Sequence, residues 1–232
     1  MCTVSFIPRA EGYILTSNRD ENPYRDTVPP GEIKLSDRSV LTAPKDALAG
    51  GTWIATDLKG RTACLLNGAL QKHNRRPEYR LSRGRFVLEA FRSSDFERFA
   101  ETVVLRDIEP FTMLLVEPGS LLQLIWDGQY KQLWELSSAT VHLWSSVTLY
   151  TPAEHAQKER YFMEALERYG PDSEHILQIH GRDYETPIFL NQEKIRTVSI
   201  TQVRYDGEKS SMDYYVTNKQ DEKIQPCSLT LN

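Results

Sequence analysis

The chain has 232 residues and a formal net charge of −4 at pH 7, so it has no overall positive field that would favour nucleic acid. Hydrophobic residues make up 40% and charged residues 26% of the sequence, which is ordinary for a globular protein with a buried core. No apolar run reaches the length of a membrane span, and the start lacks the basic and apolar regions of a secretory signal. We therefore expect one domain over residues 1–232, with no nucleic-acid partner and no membrane span.

The cysteines are few and widely spaced, at Cys2, Cys64 and Cys227. An odd number at such spacing argues against a disulfide framework and favours a reducing compartment. The sequence therefore predicts a cytoplasmic protein.

The first 21 residues predict a β-hairpin, because two short apolar runs, 2–8 and 13–17, flank a turn that contains a glycine. The ends of a hairpin lie side by side, so we expect Cys2 near Asn18, Arg19 and Asp20. If Met1 is removed, Cys2 carries a thiol and a free α-amine. Their reference pKa values are about 8.5 and about 8, so the amine can take the proton of the thiol near neutral pH. An alternative reading makes Cys2 an ordinary small hydrophobic residue on a strand, with 18–21 forming a turn.

The segment 22–51 contains four prolines and shows no clear periodicity. It predicts a long irregular segment, which is either a lid or binding loop or a surface excursion. A second hairpin is predicted over 50–66 and ends at Asn67-Gly68, which by itself is also a common turn.

The stretch 71–85 contains six lysines and arginines, which indicates either a site for an anionic group or a solvated loop that leads into a helix. Ser94 with Glu97 forms a capping-box pattern for the next helix. Four strands follow within 111–145, and the clearest helix spans 153–169, with Pro152 in its first turn and Gly170-Pro171 after its end. Two strands, 195–205 and 212–218, come last.

Several motifs resemble the NRDE family. They are Met-Cys-Thr at the start, Asn18-Arg19-Asp20-Glu21, Gly50-Gly51-Thr52-Trp53-Ile54, the strand that ends at Asn67 and the late strand 194–201. The junction 145–152 also resembles the family, but Ser146 replaces an asparagine and Tyr150 replaces an aspartate. This family is similar to the N-terminal-nucleophile hydrolases. The resemblance implies an α+β fold, a four-layer αββα sandwich of two stacked antiparallel sheets, whereas the residue pattern alone indicates only α+β.

The resemblance also implies roles for individual residues. The implied catalytic residues are Cys2 as nucleophile, Asp20 as partner of its amine, Asn67 in the oxyanion hole and Arg196 beside the thiolate. The implied substrate-binding residues are Asn18, Arg19, Trp53 and Ser146. Arg19 and Asp20 are adjacent, whereas the site arginine and aspartate of the cysteine hydrolases are three residues apart, so Arg19 can point away from Cys2.

The leading functional interpretation is hydrolysis of a C–N bond in a linear, non-peptide amide through an acyl-thioester on Cys2, after removal of Met1. The alternative is a catalytically silent protein that binds or carries a ligand, since relatives in the family are linked to trafficking, lipid and haem homeostasis. A third interpretation is a structural domain with a buried Cys2. We expect a small-molecule substrate or ligand, no cofactor and no metal, because the histidines are scattered. The oligomeric state stays open.

Overall fold

The computed structural model describes residues 3–36, 39–217 and 226–230, within which the chain forms the following elements. The strands are β1 (Thr3–Arg9), β2 (Gly12–Glu21), β3 (Thr27–Ser36), β4 (Ser39–Asp46), β5 (Ile54–Asp57), β6 (Thr62–Asn67), β7 (Phe111–Glu117), β8 (Ser120–Trp126), β9 (Lys131–Leu136), β10 (His142–Ser145), β11 (Arg196–Tyr205), β12 (Ser210–Val216) and β13 (Pro226–Thr230). The helices are α1 (Gly84–Ala90), α2 (Phe96–Thr102), α3 (Pro152–Tyr169) and α4 (Ser173–Ile179).

Two antiparallel sheets are stacked face to face. The first has the order β10-β1-β2-β11-β12-β13 and the second the order β3-β4-β5-β6-β7-β8-β9. One apolar cluster fills the space between the sheets, a second packs α1 and α2 onto the second sheet, and a third packs α3 and α4 onto the first. This is the four-layer αββα sandwich, so the predicted fold is confirmed.

The two faces of β2 point into different layers, because side chains alternate along a strand. Leu15 packs in the cluster between the sheets, whereas Ile14 packs against α3 and α4. By the same alternation Arg19 lies on the face between the sheets, and Asn18 and Asp20 lie on the face towards the helices. Neighbouring residues of one motif therefore serve two different layers.

The segment 22–51 is not an irregular loop, and that prediction was wrong. It forms a hairpin of β3 and β4 at the edge of the second sheet. Pro29 and Pro30 fall where the register of this pair shifts, between Val28 and Gly31. An edge strand tolerates proline at such a bulge because the missing N–H breaks no regular ladder. The strand was not predicted because of these prolines, although the rest of the segment is compatible with it.

The predicted helices and hairpins are otherwise confirmed with small shifts of their ends. The cap of α2 is Asp95 rather than Ser94, because the Asp95 carboxylate accepts from the backbone N–H of Arg98 at 2.7 Å. At the start of α3, Thr151 and Glu154 form a capping box. In the described parts of the chain, no helix is both long and apolar enough to cross a membrane.

Candidate active site

The first strand lies inside its sheet, next to the edge strand β10. Thr3 is paired with Asn18 of β2 on one side and with Ser145 of β10 on the other. Residue 2, and with it the predicted nucleophile Cys2, lies outside the described residues. Cys2 is bonded to Thr3, and consecutive Cα atoms are about 3.8 Å apart.

Asp20 is buried on the helix-facing side of β2 and both of its carboxylate oxygens accept hydrogen bonds. The Tyr150 hydroxyl donates to Oδ2 at 2.7 Å, and the Thr197 hydroxyl donates to Oδ1 at 2.7 Å. Each carboxylate oxygen can accept two hydrogen bonds, so these two donors fix the orientation of Asp20 and leave one acceptor position on each oxygen.

Asn67 ends β6 at the point where the two sheets face each other. Its backbone oxygen accepts from the Ser146 hydroxyl at 2.6 Å, which joins the end of β6 to the segment that precedes α3. Its side-chain Oδ1 is buried and has no hydrogen-bond partner among the described residues. The Asn67 side chain lines two cavities.

The first of these, the apolar cavity, has a volume of about 610 Å³. Its exposed lining is mainly apolar, from Leu66, Ala69, Leu70, Ile125, Trp144, Val147, Tyr150 and Pro152, and the polar residues of the lining are Asn67, Gln71, Lys72, Thr112, Gln123, Ser145, Ser146, Thr151 and His155. Such a lining, apolar with a few placed polar groups, is typical of small-molecule sites.

The second, the polar cavity, has a volume of about 590 Å³ and lies on the other side of Asn67. Its lining includes Trp53 together with Glu21, Arg25, Asp46, Arg75, Arg83 and Glu109. The Arg19 guanidinium lies 4.6 Å from the centre of the Trp53 ring and donates to Asp46 Oδ2 at 2.7 Å. Arg19 is fully buried, so it supports the wall of the polar cavity from behind Trp53.

Arginines of the basic stretch are tied to the loop that precedes β7. Arg83 donates to the backbone oxygen of Pro110 and lies 3.3 Å from Glu109. Arg80 donates to the backbone oxygens of Val104 and Arg106. Burial, together with the charge of Arg75, lowers the pKa of Arg83 more than Glu109 raises it. These contacts show how part of the stretch is anchored.

The structure places Asn18 and Arg196 away from both cavities. Asn18 Nδ2 donates to the backbone oxygen of His180, and its Oδ1 lies 2.7 Å from His180 Nδ1. Arg196 pairs in register with Glu21 at the start of β11, and its Nε is buried without a described hydrogen-bond partner. Asn67, Trp53 and Ser146 line a cavity, and Asp20 reaches one through Tyr150.

His180 is part of a buried chain of hydrogen bonds that joins α4 to both strands of the first hairpin. Its Nε2 lies 2.7 Å from the Ser5 hydroxyl. Burial, and then the charge of Lys158, lowers the pKa of His180 from 6.5 to about 3. The ring is therefore neutral. Since Asn18 Oδ1 can only accept, we assign the ring proton to Nδ1, and Nε2 accepts from Ser5.

Sequence reasoning missed Thr197, His180 and Lys158. Thr197 directly follows the predicted Arg196 in β11. Because the side chains of adjacent strand residues face opposite ways, the prediction for Arg196 gave no information about Thr197. Lys158 carried a usable signal, because it lies one helical turn before Phe162, the first residue of the apolar stripe of α3. A lysine on a buried stripe indicates a specific partner. His180 carried no such signal.

No group of three or more histidine, cysteine, aspartate or glutamate side chains suited to holding a metal ion occurs within residues 3–36, 39–217 and 226–230.

Comparisons with known proteins bear on the family and the fold. The family model described as Transport and Golgi organisation 2 matches residues 1–223. A comparison with curated protein sequences gives no significant match. Among solved structures, a C2A mutant of the conjugated bile acid hydrolase from Clostridium perfringens has a TM-score of 0.63 at 9% identity, covering 99% of this chain and 92% of that one. The Caenorhabditis elegans orthologue of N-acylethanolamine-hydrolyzing acid amidase also has a TM-score of 0.63, at 10% identity, covering 94% of this chain and all of the other. At such identity the likeness shows the fold, that of N-terminal-nucleophile hydrolases.

Proposed function

Since the chain belongs to the Transport and Golgi organisation 2 family, or NRDE family, and has the fold of N-terminal-nucleophile hydrolases, we propose that it is an N-terminal cysteine amidohydrolase. Its substrate is a linear, non-peptide amide with an apolar acyl group. The two structural neighbours are named for the hydrolysis of conjugated bile acids and of N-acylethanolamines, and the proposal assigns amide hydrolysis of this general kind to the present chain.

One observation supports the proposal: of the predicted catalytic residues, Asn67 lines the apolar cavity, and Asp20 is hydrogen-bonded to Tyr150, which lines the same cavity. Ser145, the strand neighbour of Thr3, lines that cavity, and so does Asn67. Tyr150 lines it as well and holds Asp20. A nucleophile bonded to Thr3 would therefore meet a carbonyl group whose acyl chain occupies the apolar cavity.

In the proposed acylation step, Cys2 Sγ attacks the carbonyl carbon of the amide while its α-amine takes the thiol proton. Asp20 orients that amine through the acceptor positions that Tyr150 and Thr197 leave open. The side-chain NH₂ of Asn67 donates to the oxygen that becomes negative. The amine then gives its proton to the leaving nitrogen, the C–N bond breaks, and the acyl group remains on sulfur as a thioester.

In the proposed deacylation step, water attacks the thioester carbonyl and gives a proton to the α-amine. The C–S bond breaks, the carboxylic acid leaves, and the thiol is restored. Arg196 is the proposed cation that favours the thiolate. Trp53 lines the polar cavity, where the amine part of the substrate is proposed to lie. Ser146 lines the apolar cavity, where the acyl part is proposed to lie.

The test is hydrolysis of 4-nitroanilides with acyl chains from acetyl to dodecanoyl, using protein made with its native start and shown by intact mass to lack Met1. Burial of apolar area stabilises by about 0.8 kcal/mol per methylene, so kcat/KM is expected to rise up to about fourfold per methylene until the cavity is filled. Cys2→Ala should abolish hydrolysis and Asp20→Asn should reduce it, whereas Cys64→Ala should not.

The other candidate function has a distinct outcome in the same experiment. A silent ligand-binding protein would bind the long-chain anilides, with the same preference for chain length, and would release no 4-nitroaniline. Retention of Met1 in the purified protein would remove the proposed base and would also contradict the hydrolase.

A further inference from the structure

A buried lysine lies under the start of the first strand. Lys158 of α3 is only 5% exposed, although burying an ammonium group costs several kcal/mol unless partners compensate it. Its Nζ donates to the Thr3 hydroxyl at 2.9 Å and lies 3.2 Å from the centre of the Tyr150 ring. The cation is thus held against the first described residue of the chain and against the ring that carries the hydroxyl bound to Asp20.

Tyr150 connects Lys158 with Asp20. Its ring meets the ammonium group on one face, which is a favourable cation–π arrangement, and its hydroxyl donates to Asp20 Oδ2. Tyr150 therefore presents a hydrogen-bond donor to Asp20 and an aromatic face to Lys158. With Thr197 on the other oxygen, Asp20 is held from strand β11 and from the segment that precedes α3.

The charge of Lys158 acts across this layer, as the lowered pKa of His180 indicates. The other titratable groups that face it are Asp20 on β2, Tyr150 before α3, His180 after α4 and Glu154 one turn earlier on its own helix. Lys158 contributes to lowering the pKa of Glu154, after the hydrogen bonds from Thr151. His180 is neutral and Glu154 is exposed at the helix start, and Asp20 is the buried carboxylate that Tyr150 links to Lys158.

We propose that Lys158 and Tyr150 are positioning residues of the amidohydrolase site: Lys158 holds the start of β1 through Thr3, and Tyr150 holds the carboxylate of Asp20. This inference rests on the proposed function. The positive charge of Lys158 acts in the opposite direction to the negative charge of Asp20. It disfavours the protonated α-amine of Cys2 and favours the Cys2 thiolate. The pair thereby sets how easily the α-amine of Cys2 acts as a base near neutral pH.

The test measures the reactivity of Cys2 as a function of pH and so does not require a substrate. Untagged protein that lacks Met1 is treated with iodoacetamide from pH 5 to 10, and modification of Cys2 is followed by peptide mapping. Lys158→Met removes the charge and keeps the length of the side chain, and its reactivity midpoint is expected to rise by about one pH unit. Lys59→Met removes an exposed lysine from the β5–β6 turn and should leave the midpoint unchanged.

Two nearly isosteric variants keep the inference testable if Lys158→Met does not fold. Thr3→Val removes the acceptor and keeps the Lys158 charge, so acylation should slow with little change in the midpoint. Tyr150→Phe removes the hydroxyl and keeps the cavity wall, so kcat for the anilides should fall about tenfold with KM unchanged, the size expected from losing an aligned hydrogen bond.

The outcomes separate the two proposals. If folded Lys158→Met has the wild-type pH profile, the positioning role of Lys158 is overturned. If Tyr150→Phe changes only KM, the role of Tyr150 is overturned. If the wild type hydrolyses no anilide and the midpoint still depends on Lys158, the electrostatic role stands and the proposed hydrolase is what fails.

Discussion

Arg19 and Asp46 form an ion pair inside the sandwich, with 2.7 Å between Arg19 Nη2 and Asp46 Oδ2 and no solvent exposure of the arginine side chain. Arg25 donates to the same oxygen at 2.7 Å from a more exposed position. Burial raises the pKa of Asp46, but the Ala49 N–H and the two arginines outweigh burial and hold the pKa below its ordinary value. Arg19, the second residue of the Asn18-Arg19-Asp20-Glu21 motif, therefore has a structural role of its own.

Removing Asp46 should strongly destabilise the fold, because it leaves the buried Arg19 guanidinium without its counter-charge. We expect Asp46→Ala to lower the free energy of unfolding by about 3–5 kcal/mol. Arg25→Ala removes the outer partner only and should cost about 1 kcal/mol or less. Urea unfolding of both variants at pH 7 measures the difference, and equal losses would contradict a special role for the buried pair.

The stability should fall on mild acidification because of His180. Its pKa is lowered to about 3 in the folded chain, so its contribution is fully present above the unfolded pKa of about 6.5 and is lost as pH falls below that value. Between pH 7 and pH 5 this amounts to about 2 kcal/mol.

His180→Asn keeps a side-chain donor and removes the titration, so the unfolding free energy should fall less between pH 7 and pH 5 than in the wild type. His175→Asn alters a more exposed histidine of the adjoining helix α4 and should retain the wild-type pH dependence. Urea midpoints at the two pH values decide this. If the His180→Asn variant loses as much unfolding free energy between pH 7 and pH 5 as the wild type, a group other than His180 causes the loss.

Asn67 should act on the rate of hydrolysis rather than on binding. Its side chain lines both cavities, and its proposed partner is the oxygen that becomes negative. Asn67→Ala is expected to lower kcat by about 100- to 1,000-fold with little change in KM. Steady-state kinetics with a long-chain anilide measure this. Circular dichroism checks that the variant is folded, since Asn67 also ends β6.

The wall of the polar cavity depends on a close approach of two backbones. A Cβ at Gly51 would lie 2.7 Å from the backbone carbon of Gly84, and a Cβ at Gly84 would lie 2.7 Å from the backbone oxygen of Thr52. Gly51→Ala or Gly84→Ala should therefore lower the free energy of unfolding by about 1–3 kcal/mol. Gly31→Ala is a matched control, because a Cβ there meets nothing within 4 Å. Thermal unfolding compares the three variants.

The residue pattern predicted the main hairpins and helices because their signals are local, whereas the four layers were predicted from the family resemblance. Alternation, turn glycines and helix caps act over a few residues, and α3 with Pro152 and Thr151 is an example. The strands of segment 22–51 were missed because the prolines sit at a bulge whose tolerance depends on an edge position, which the local pattern does not reveal.

The candidate site was less predictable, since its contacts join distant parts of the chain. The hydrogen bonds from Thr197 and Tyr150 to Asp20 span 177 and 130 residues. No short pattern records such pairings. Alternation along β2 explains why Arg19 and Asp20 face different layers. This difference could have been predicted from the sequence once the strand was assigned.

The position of the first hairpin also has a consequence for synthesis. β1 gains its outer neighbour only when residues 142–145 exist, and β2 gains its neighbour only when residues 196–205 exist. At about 5–20 residues per second on the ribosome, synthesis reaches residue 145 roughly six to twenty-five seconds after residue 21, and until then both edges of the hairpin are unpaired. The Met1 removal on which the proposed mechanism depends would have this interval in which the first hairpin is not yet enclosed by neighbouring strands.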